Sequence, residues 1–387
     1  YSPDKGSNDL VTSWSIAKSF TSALVGIALT RGEISGLDQS LADFIPAWTG
    51  TQKGNITVNH LLTVRTALEL IGDADGDGIP DGSELYNAAD QLALSLNRPL
   101  MGNPGEKLYT YSNSDVMIAG ELIKTATGVP ADYYLAIAFG DEIGFSGDWW
   151  TDPAGNVLTY CCLDATPRDF ARFGLLFARN GEWQDSQIID EAWINESTVP
   201  ARGGNYGYYW WPAEPNGFSA LGVQGQMIAI YPDDDLVILR FGNYRRNGDG
   251  STVRSGNNYH VTSPPEGFSS ATFTGLVREA LPPQTASANS APIATISPNQ
   301  IAAVNSRVTL WAGGSSDPEG DRTALDWELV QAPAGSQALI KGIGDTVYIT
   351  PDLPGNYHVE LTLSDGLTSS STVDTQISVV SQRDVLA

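Results

Sequence analysis

The pattern of hydrophobic and polar positions divides the chain into a mainly helical part and a later part made of short strands. Up to residue 281, apolar residues recur mostly at helical spacing, and one antiparallel hairpin is predicted from Gln226 to Tyr231 and from Leu236 to Phe241. Helices in the middle and antiparallel strands towards the end indicate an α+β fold rather than a doubly wound sheet. The predicted helices span residues 14–31, 57–71, 84–97, 112–127, 130–140, 166–180, 189–197 and 268–281.

A second domain is predicted after a short linker. Residues 282–292 are small and polar with Pro at both ends, which is typical of a linker between a domain at 1–281 and one at 293–387. Beyond it, short alternating runs are separated by turn clusters at 317–321 and 354–356. Strands at this spacing indicate an all-β sandwich. The predicted strands span residues 307–312, 324–330, 346–350, 357–363 and 372–380.

The most informative feature of the composition is its charge. The chain of 387 residues is 41% hydrophobic, enough for a sizeable core, yet it carries 45 acidic residues against 21 basic ones, a net charge of −24. Nucleic acids and anionic membranes attract clustered Lys and Arg, so neither is an expected partner. The sequence has no run of eighteen apolar residues, so no membrane span is predicted. The acidic excess favours a saline or extracellular setting, or bound cations.

The two cysteines are neighbours. Cys161 and Cys162 form either a vicinal disulfide or two thiols, and the spacing of a Cys-x-x-Cys metal site is absent from the sequence. Two small buried residues are the favoured interpretation, since free cysteine is among the most buried residue types.

The three histidines do not suggest a Ser-His-Asp triad. His60 lies on an apolar helical stretch, His260 follows a loop with no acidic partner in sequence, and His358 alternates within a predicted strand. The nucleophile motif Gly-x-Ser-x-Gly is also absent from the sequence. A serine hydrolase with this sequence therefore needs a base other than histidine.

Lys18 can supply such a base for the hydroxyl of Ser15. Residues three apart on a helix share a face, so the Ser15 hydroxyl and the Lys18 amine can meet. The helix that follows is apolar on nearly all sides, which predicts burial and a lowered pKa for the Lys18 amine. A second Ser-x-x-Lys match, from Ser2 to Lys5, lies in a segment without helical pattern, so it is interpreted as accidental.

Tyr111 and Asn113 strengthen this interpretation. They form the only Tyr-x-Asn in the chain and lie just before a predicted helix. A phenol near a lysine can relay protons, and an Asn can hold a substrate amide or orient the lysine. The alternative is a helix cap beside a packing tyrosine.

Four segments occur in order along the chain, at residues 13–20, 104–113, 168–174 and 222–226. Together they resemble the serine β-lactamase-like superfamily, in its class C, esterase and 6-aminohexanoate-dimer hydrolase branch. The resemblance implies a β-lactamase-like fold, with an antiparallel sheet flanked by helices and a helical subdomain. It also places strands before the nucleophile helix, whereas fourteen residues precede Ser15, so those strands are expected to be missing from this sequence.

The resemblance also implies roles for individual residues. Ser15 is the acylated nucleophile, Lys18 its base and Tyr111 the acid/base, while Asn113 contacts Lys18 or substrate. The oxyanion hole is formed by the backbone amides of Ser15 and Gln226. The family's third motif, normally Lys or His first and Gly third, falls on the substrate-binding residues Val223, Gln224 and Gly225. Because the cationic residue is missing, the resemblance favours ester or amide substrates over β-lactams.

Aromatic residues cluster near the expected cleft. The runs Trp149–Trp150 and Tyr208–Trp211 either line an acyl pocket or belong to the core. We name Trp210 as a candidate substrate-binding residue.

An acidic loop inside the first domain predicts a calcium site. The twelve residues 73–84 match the spacing of a calcium loop, with Gly78 at the turn and a carboxylate at the last position. The cation is expected to be structural, and no organic cofactor is expected. The predicted ligands are Asp73, Asp75, Asp77, Ile79 through its carbonyl, Asp81 and Glu84.

The strand-rich part resembles PKD-type immunoglobulin-like modules. The resemblance rests on residues 313–321, Trp327 and the run 356–366, and it makes Trp327 the core tryptophan and Tyr357 the corner tyrosine. Such modules serve as spacers or adhesion elements, so we expect this one to contact a polysaccharide or protein surface.

The leading hypothesis is a serine hydrolase that cleaves esters or small amides through an acyl-enzyme. A β-lactamase and a D-amino-acid peptidase are the alternatives within enzymes. A non-catalytic binding or adhesion protein with an inactive lactamase-like scaffold is the alternative from another class. We expect a secreted, periplasmic or cell-surface protein, bacterial and from a saline environment.

Overall fold

Helices dominate the first half of the fold and strands the second half. The computed structural model describes residues 8–69, 81–106, 111–184, 186–200, 205–213, 216–242, 254–255, 258–259, 269–281, 290–318, 323–342, 344–364 and 368–381. The helices are α1 Ala17–Thr30, α2 Val58–Leu62, α3 Asp81–Asn87, α4 Gln91–Asn97, α5 Asn113–Thr127, α6 Ala131–Leu135, α7 Asp141–Ile143, α8 Pro167–Ala178, α9 Glu191–Thr198 and α10 Ser270–Glu279.

The strands fall into two groups along the chain. The first group is β1 Val11–Thr12, β2 Gly147–Trp149, β3 Leu163–Ala165, β4 Glu182–Trp183, β5 Ser186–Gln187, β6 Trp211–Ala213, β7 Gly217–Gly222, β8 Gln226–Tyr231, β9 Leu236–Arg240, β10 Arg254–Ser255 and β11 Asn258–Tyr259. The second group is β12 Gln300–Ala303, β13 Val308–Trp311, β14 Ala324–Gln331, β15 Ile340–Lys341, β16 Thr346–Ile349, β17 Gly355–Ser364 and β18 Val373–Val380.

An antiparallel sheet in the order β6-β7-β8-β9 lies between helices. Ile228 and Ile230 on β8 face the core that contains α8, whereas Met227 and Ala229 face the side where Phe273 of α10 packs. Because strand side chains alternate between faces, the wholly apolar β8 requires cover on both sides. The α+β prediction is confirmed, as is the hairpin formed by β8 and β9.

Helix α1 is the centre of the first domain. Its residues from Ala17 to Ala28 are all buried, and it packs against α5 and α6. A helix that is apolar all round can only be stable when other elements surround it. None of the helices in the described part of the chain has both the length and the apolar character that a membrane span requires.

The helix predicted at 57–71 is much shorter in the structure. Helix α2 begins with a capping box in which Thr57 and His60 bond each other's backbone amides, and it ends at Leu62. Val64 and Ala67 then take positive φ values of 47° and 59°, which a right-handed helix cannot contain.

Two other predicted helices are interrupted. The helix predicted at 84–97 is divided into α3 and α4, because the Asp90 side chain accepts a hydrogen bond from the Ala93 amide and starts a new helix. The helix predicted at 130–140 is α6 followed by a π-helical segment, Ala136–Gly140.

The C-terminal part is a β-sandwich, as predicted. One sheet has the order β12-β18-β17-β14 and the other the order β13-β16-β15, and the strands β12 and β15 were missed in the sequence pattern. Tyr357 is fully buried, and its hydroxyl donates to the Leu353 carbonyl at 3.1 Å, which is the bonding of a tyrosine corner. The Trp327 indole donates to the Gly344 carbonyl at 3.0 Å and packs against the sandwich core.

Acidic side chains meet where α9 lies against β14. Glu196 of α9 is 9% exposed, accepts a hydrogen bond from the Tyr208 hydroxyl at 2.9 Å and is also bonded by the Leu325 backbone amide. Burial, followed by the charge of Asp326, raises the pKa of Glu196 to about 8. A cavity of about 520 Å³ at this contact is also lined by Asp38, whose pKa burial raises to about 6.

Glu196→Gln should make the fold less sensitive to alkaline pH. The pKa of Glu196 is raised from 4.5 to about 8 on folding, so its ionisation destabilises the fold increasingly as pH rises from about 4.5 through 8. We expect the thermal midpoint of the wild type to fall relative to that of Glu196→Gln between pH 5 and pH 9. Glu191→Gln, at an exposed site on the same helix, is the control. Parallel pH profiles for all three proteins would contradict the expectation.

Candidate active site

Ser15 lies in a tight turn that leads into α1. The turn is a 3-10 segment, Trp14–Ile16, and Trp14 has a positive φ of 49°. Ser13, which precedes this turn, is held by two hydrogen bonds. Its amide donates to the Leu163 carbonyl, and the Leu163 amide donates to Ser13 Oγ, both at 2.9 Å. Backbone strain of this kind persists only where surrounding bonds hold it, and here it leaves the Ser15 side chain partly exposed.

Lys18 is buried one helical turn after Ser15. Its side chain is 1% exposed, and Nζ lies 3.0 Å from Ser15 Oγ and 2.7 Å from the Tyr160 carbonyl oxygen. Burial holds the pKa of the Lys18 amine well below its ordinary value of 10.5, because desolvation disfavours the charged form. A neutral amine beside a serine hydroxyl can act as a base.

Tyr111 brings a phenol to the same place. Its side chain hydrogen-bonds that of Ser15, and its ring centroid lies 4.9 Å from Lys18 Nζ. Burial raises the pKa of Tyr111 above its usual range, and the bond with Ser15 offsets only part of that effect. Tyr111 is therefore a neutral phenol at neutral pH, with a proton to donate.

The start of α5 fixes the backbone that carries Tyr111. Ser112 caps the helix by accepting a hydrogen bond from the Asp115 amide at 3.1 Å. The buried Asp115 carboxyl in turn accepts from the Ser112 hydroxyl at 3.1 Å and from the Thr66 hydroxyl at 2.9 Å. Burial raises the pKa of Asp115 to about 7.

Asn113 is close to this group, but its partner is not Lys18. Its Nδ2 donates to the Tyr86 hydroxyl at 3.1 Å, and its buried Oδ1 has no hydrogen-bond partner among the residues that the structure describes. Tyr86, which the sequence analysis did not identify, also packs edge-on against Tyr160 at 5.7 Å. Nothing in its local sequence marks Tyr86, since only the fold brings α3 next to the start of α5.

The third motif forms a turn at the edge of the sheet. Val223, Gln224 and Gly225 make a 3-10 turn between β7 and β8, in which Val223 is 51% exposed. Arg240 of β9 donates to the Gly225 carbonyl at 2.7 Å and holds this turn. A Cβ on Gly222 would lie 2.5 Å from the Ser13 carbonyl oxygen, so only glycine lets the strand approach the nucleophile turn this closely.

Gln226 begins β8 opposite Gly222 and is buried. Its side-chain oxygen accepts a hydrogen bond from the Gly242 amide at 2.8 Å. Since β8 packs against the turn that carries Ser15, the Gln226 backbone lies at the same edge. Its role in an oxyanion hole, paired with the Ser15 amide, stays a prediction.

Trp210, the candidate substrate-binding residue, lies in the core rather than at the surface of the site. It is 0% exposed and packs in the core, with ring centroids 4.6 Å from Phe177 and 5.2 Å from Phe218. Its neighbour Trp211 lies at the site, stacked 6.0 Å from Tyr111, and Tyr206 also packs against Tyr111 at 5.8 Å. Successive residues of an extended chain point to opposite sides, so the sequence alone does not predict whether Trp210 or Trp211 faces the cleft.

The cysteine pair lies beside the Lys18 pocket as a vicinal disulfide. Cys161 and Cys162 are joined and are 1% and 3% exposed. The interpretation as two buried residues is right about burial, whereas the bond itself was one of two alternatives left open by the sequence.

The remaining candidate residues have structural surroundings or lie outside the described part of the chain. His60 accepts a hydrogen bond from the Thr57 amide at 3.2 Å, and burial lowers its pKa to about 4. Residues 73–80 of the predicted calcium loop lie outside the described residues, as does His260. Among the described residues, no group of three or more His, Cys, Asp or Glu side chains is arranged to hold a metal ion.

The family model described as Beta-lactamase matches residues 6–257, and the model described as PKD domain matches residues 293–379. No curated protein matches the chain closely enough to count as a relative.

Two solved structures share the fold of the first domain. One, assigned as a 6-aminohexanoate-dimer hydrolase from Bacillus anthracis, is 22% identical, covers 62% of this chain and 69% of its own, and has a TM-score of 0.56. The other, assigned as a beta-lactamase from Bacteroides dorei, is 18% identical, covers 71% of this chain and 86% of its own, and has a TM-score of 0.54. The family model spans more than half of the chain, so the protein belongs to the beta-lactamase family of serine hydrolases and carries a PKD domain after the hydrolase domain.

Proposed function

We propose that the protein hydrolyses ester or small amide bonds through an acyl-enzyme formed on Ser15. The observation that carries the proposal is the 3.0 Å separation between Ser15 Oγ and the amine of a lysine that is 1% exposed. A lysine in that position is neutral far more readily than one in water, so it can accept the serine proton.

In the first step, Ser15 Oγ attacks the substrate carbonyl carbon while its proton passes to Lys18. The neutral amine has two N–H bonds and one lone pair, so it can donate to the Tyr160 carbonyl and still accept from Ser15. The carbonyl π bond opens to an oxyanion, which the backbone amides of Ser15 and Gln226 would stabilise by about 3 kcal/mol per donor.

In the second step, the leaving group departs with a proton. Burial keeps Tyr111 protonated, which makes Lys18 the base and Tyr111 the acid. Tyr111 donates its proton to the leaving oxygen or nitrogen and regains one from Lys18, so the charges of the site are restored. The carbon–leaving-group bond breaks and an ester on Ser15 remains.

In the third step, water replaces the acyl group. The same relay runs in reverse: Tyr111 takes a proton from water as it passes its own proton to Lys18, and hydroxide adds to the ester carbonyl. Ser15 Oγ then leaves with the proton from Lys18. The products are a carboxylic acid and the free enzyme.

Val223 favours a neutral substrate. It stands where the family's third motif normally has a cation, and its exposed side chain cannot pair with the carboxylate of a β-lactam. A neutral ester or amide does not need that contact. Trp211, stacked on Tyr111, offers an aromatic surface for the acyl or leaving group.

We further propose that the protein works outside the cytoplasm, where the PKD domain contacts a polysaccharide or protein surface. The PKD domain match, a disulfide and a net charge of −24 support this location. A bacterial source and a saline environment remain proposals on the same basis.

The acidic loop at 73–84 is proposed to bind Ca²⁺ as a structural ion. Its carboxylates have the spacing of a calcium loop, and α3 begins at Asp81, within the loop's last turn. Tyr86, which contacts Asn113, follows on the same helix. Calcium would therefore stabilise a segment next to the active site.

Ser15→Ala should abolish the activity. We expect hydrolysis of a p-nitrophenyl ester to fall at least about a thousandfold, and labelling by a fluorophosphonate to disappear, because the nucleophile is removed. Ser2→Ala, in the chain's other Ser-x-x-Lys match, is the control and should behave like the wild type. Retained labelling in Ser15→Ala would refute the proposed nucleophile.

The class of substrate can be read from intact mass. We expect the wild type, incubated with ester, amide and β-lactam acyl donors, to gain the acyl mass from the ester or amide donors and Ser15→Ala to gain none. Acylation by the β-lactam alone would favour a β-lactamase over an esterase. No adduct from any donor would favour the non-catalytic binding protein.

Calcium should raise the thermal stability of the protein. A ligand at a hundred times its Kd stabilises the folded state by about 2.7 kcal/mol, so the unfolding midpoint should rise on adding Ca²⁺ and fall with a chelator. Asp75→Asn should remove this response. Asp148→Asn makes the same charge change at an exposed strand position and should retain it. Equal responses in both variants would contradict the site.

A further inference from the structure

The segment from Thr159 to Leu163 forms hydrogen bonds at three places, two on helix α1 and one at the turn before it. Thr21 of α1 donates to the Thr159 carbonyl at 2.8 Å, and Lys18 donates to the Tyr160 carbonyl at 2.7 Å. At the other end, Ser13 and Leu163 exchange two hydrogen bonds of 2.9 Å. The disulfide lies between the bond to Lys18 and the bonds to Ser13.

The backbone around the disulfide is a closed turn. The Cys161 amide donates to the Leu158 carbonyl at 2.9 Å, and the Trp149 indole donates to the Cys161 carbonyl at 2.9 Å. Cys162 has a φ of +65°, a left-handed conformation that costs a non-glycine residue roughly 1–2 kcal/mol. A covalent bond to the preceding residue restricts the chain to few conformations, and this one points the Tyr160 carbonyl at Lys18.

The Tyr160 carbonyl has a specific task in the proposed reaction. The buried Lys18 amine has two described polar contacts, Ser15 Oγ and this carbonyl. If the carbonyl turned away, the amine would lose the acceptor that fixes its direction. A misplacement of about 1 Å in such a group can cost about a hundredfold in rate.

We propose that the Cys161–Cys162 disulfide is a positioning element of the active site, which holds the Tyr160 carbonyl on Lys18 and so keeps the Lys18 amine aligned with Ser15 Oγ. The inference rests on the proposed function of Ser15 and Lys18. Neither cysteine touches the reacting atoms, and the disulfide acts through the Tyr160 backbone.

The state of the cysteines is measured first. The purified protein, denatured with iodoacetamide and without reductant, should take up no label, and it should take up two labels after reduction. Two labels without reductant would overturn the proposal directly.

The double variant Cys161→Ser/Cys162→Ser then tests the positioning role. We expect kcat/KM for a p-nitrophenyl ester to fall roughly 10- to 100-fold while the circular dichroism spectrum is unchanged. The acidic limb of the pH profile should also move to lower pH. The reason is that a carbonyl acceptor favours the charged amine, and its loss lowers the pKa of Lys18 further.

Thr21→Val is the matched control, because it removes a buried bond from the same segment to the same helix without touching Lys18. It should lower the thermal midpoint but leave the pH profile in place. The same shift in Thr21→Val, or an unchanged rate and profile in the double variant, would overturn the positioning role.

The two proposals fail in different ways. If a fluorophosphonate does not label the wild type, the proposed function is refuted. If it labels the wild type but the double variant has an unchanged rate and pH profile, only the inference about the disulfide is refuted. If the double variant does not fold, the native wild type is reduced and its thiols trapped. A rate and pH profile unchanged after complete trapping would then count against the disulfide, and a shifted profile would support it.

Discussion

The burial of one amine is the constraint on which the site depends. Lys18 lies on a helix whose residues from Ala17 to Ala28 are all buried, so its amine has little access to water. Burying an uncompensated charge costs several kcal/mol, and a buried lysine therefore loses its proton readily and needs fixed hydrogen-bond partners. Ser15 Oγ and the Tyr160 carbonyl provide them. The same burial that stabilises the domain lowers the pKa of this amine, as its proposed role as a base requires.

Three elements pack around α1 and hold Ser15 and Lys18 in place. The sheet edge approaches the nucleophile turn through Gly222, where a larger residue would collide with the Ser13 carbonyl. The capped start of α5 holds Tyr111 against Ser15, and the buried carboxyl of Asp115 secures that cap. The third element is the segment that contains the disulfide.

Charge has two different consequences in this molecule. The net charge of −24 is spread over both domains and acts mainly on solubility and on the choice of partners. At the contact between α9 and β14, however, Asp38 and Glu196 face Asp326, and their pKa values rise because burial and like charge disfavour ionisation. Ionisation of these carboxyls as pH rises therefore opposes the contact between the hydrolase domain and the sandwich.

Strong local signals in the sequence were enough to predict several elements and the pairing of Ser15 with Lys18, the two residues of the proposed reaction. Burial of α1, the β8–β9 hairpin and the meeting of Ser15 with Lys18 follow from periodicity and from the three-residue spacing, which are local properties. The end of α2 depends instead on tertiary packing, because Val64 and Ala67 adopt left-handed conformations that no local pattern requires. Packing also determines that Trp211 rather than Trp210 faces Tyr111, and that Tyr86 and the Tyr160 carbonyl join the site. These contacts join residues far apart in the chain, so packing selects them and neither spacing nor composition can predict them.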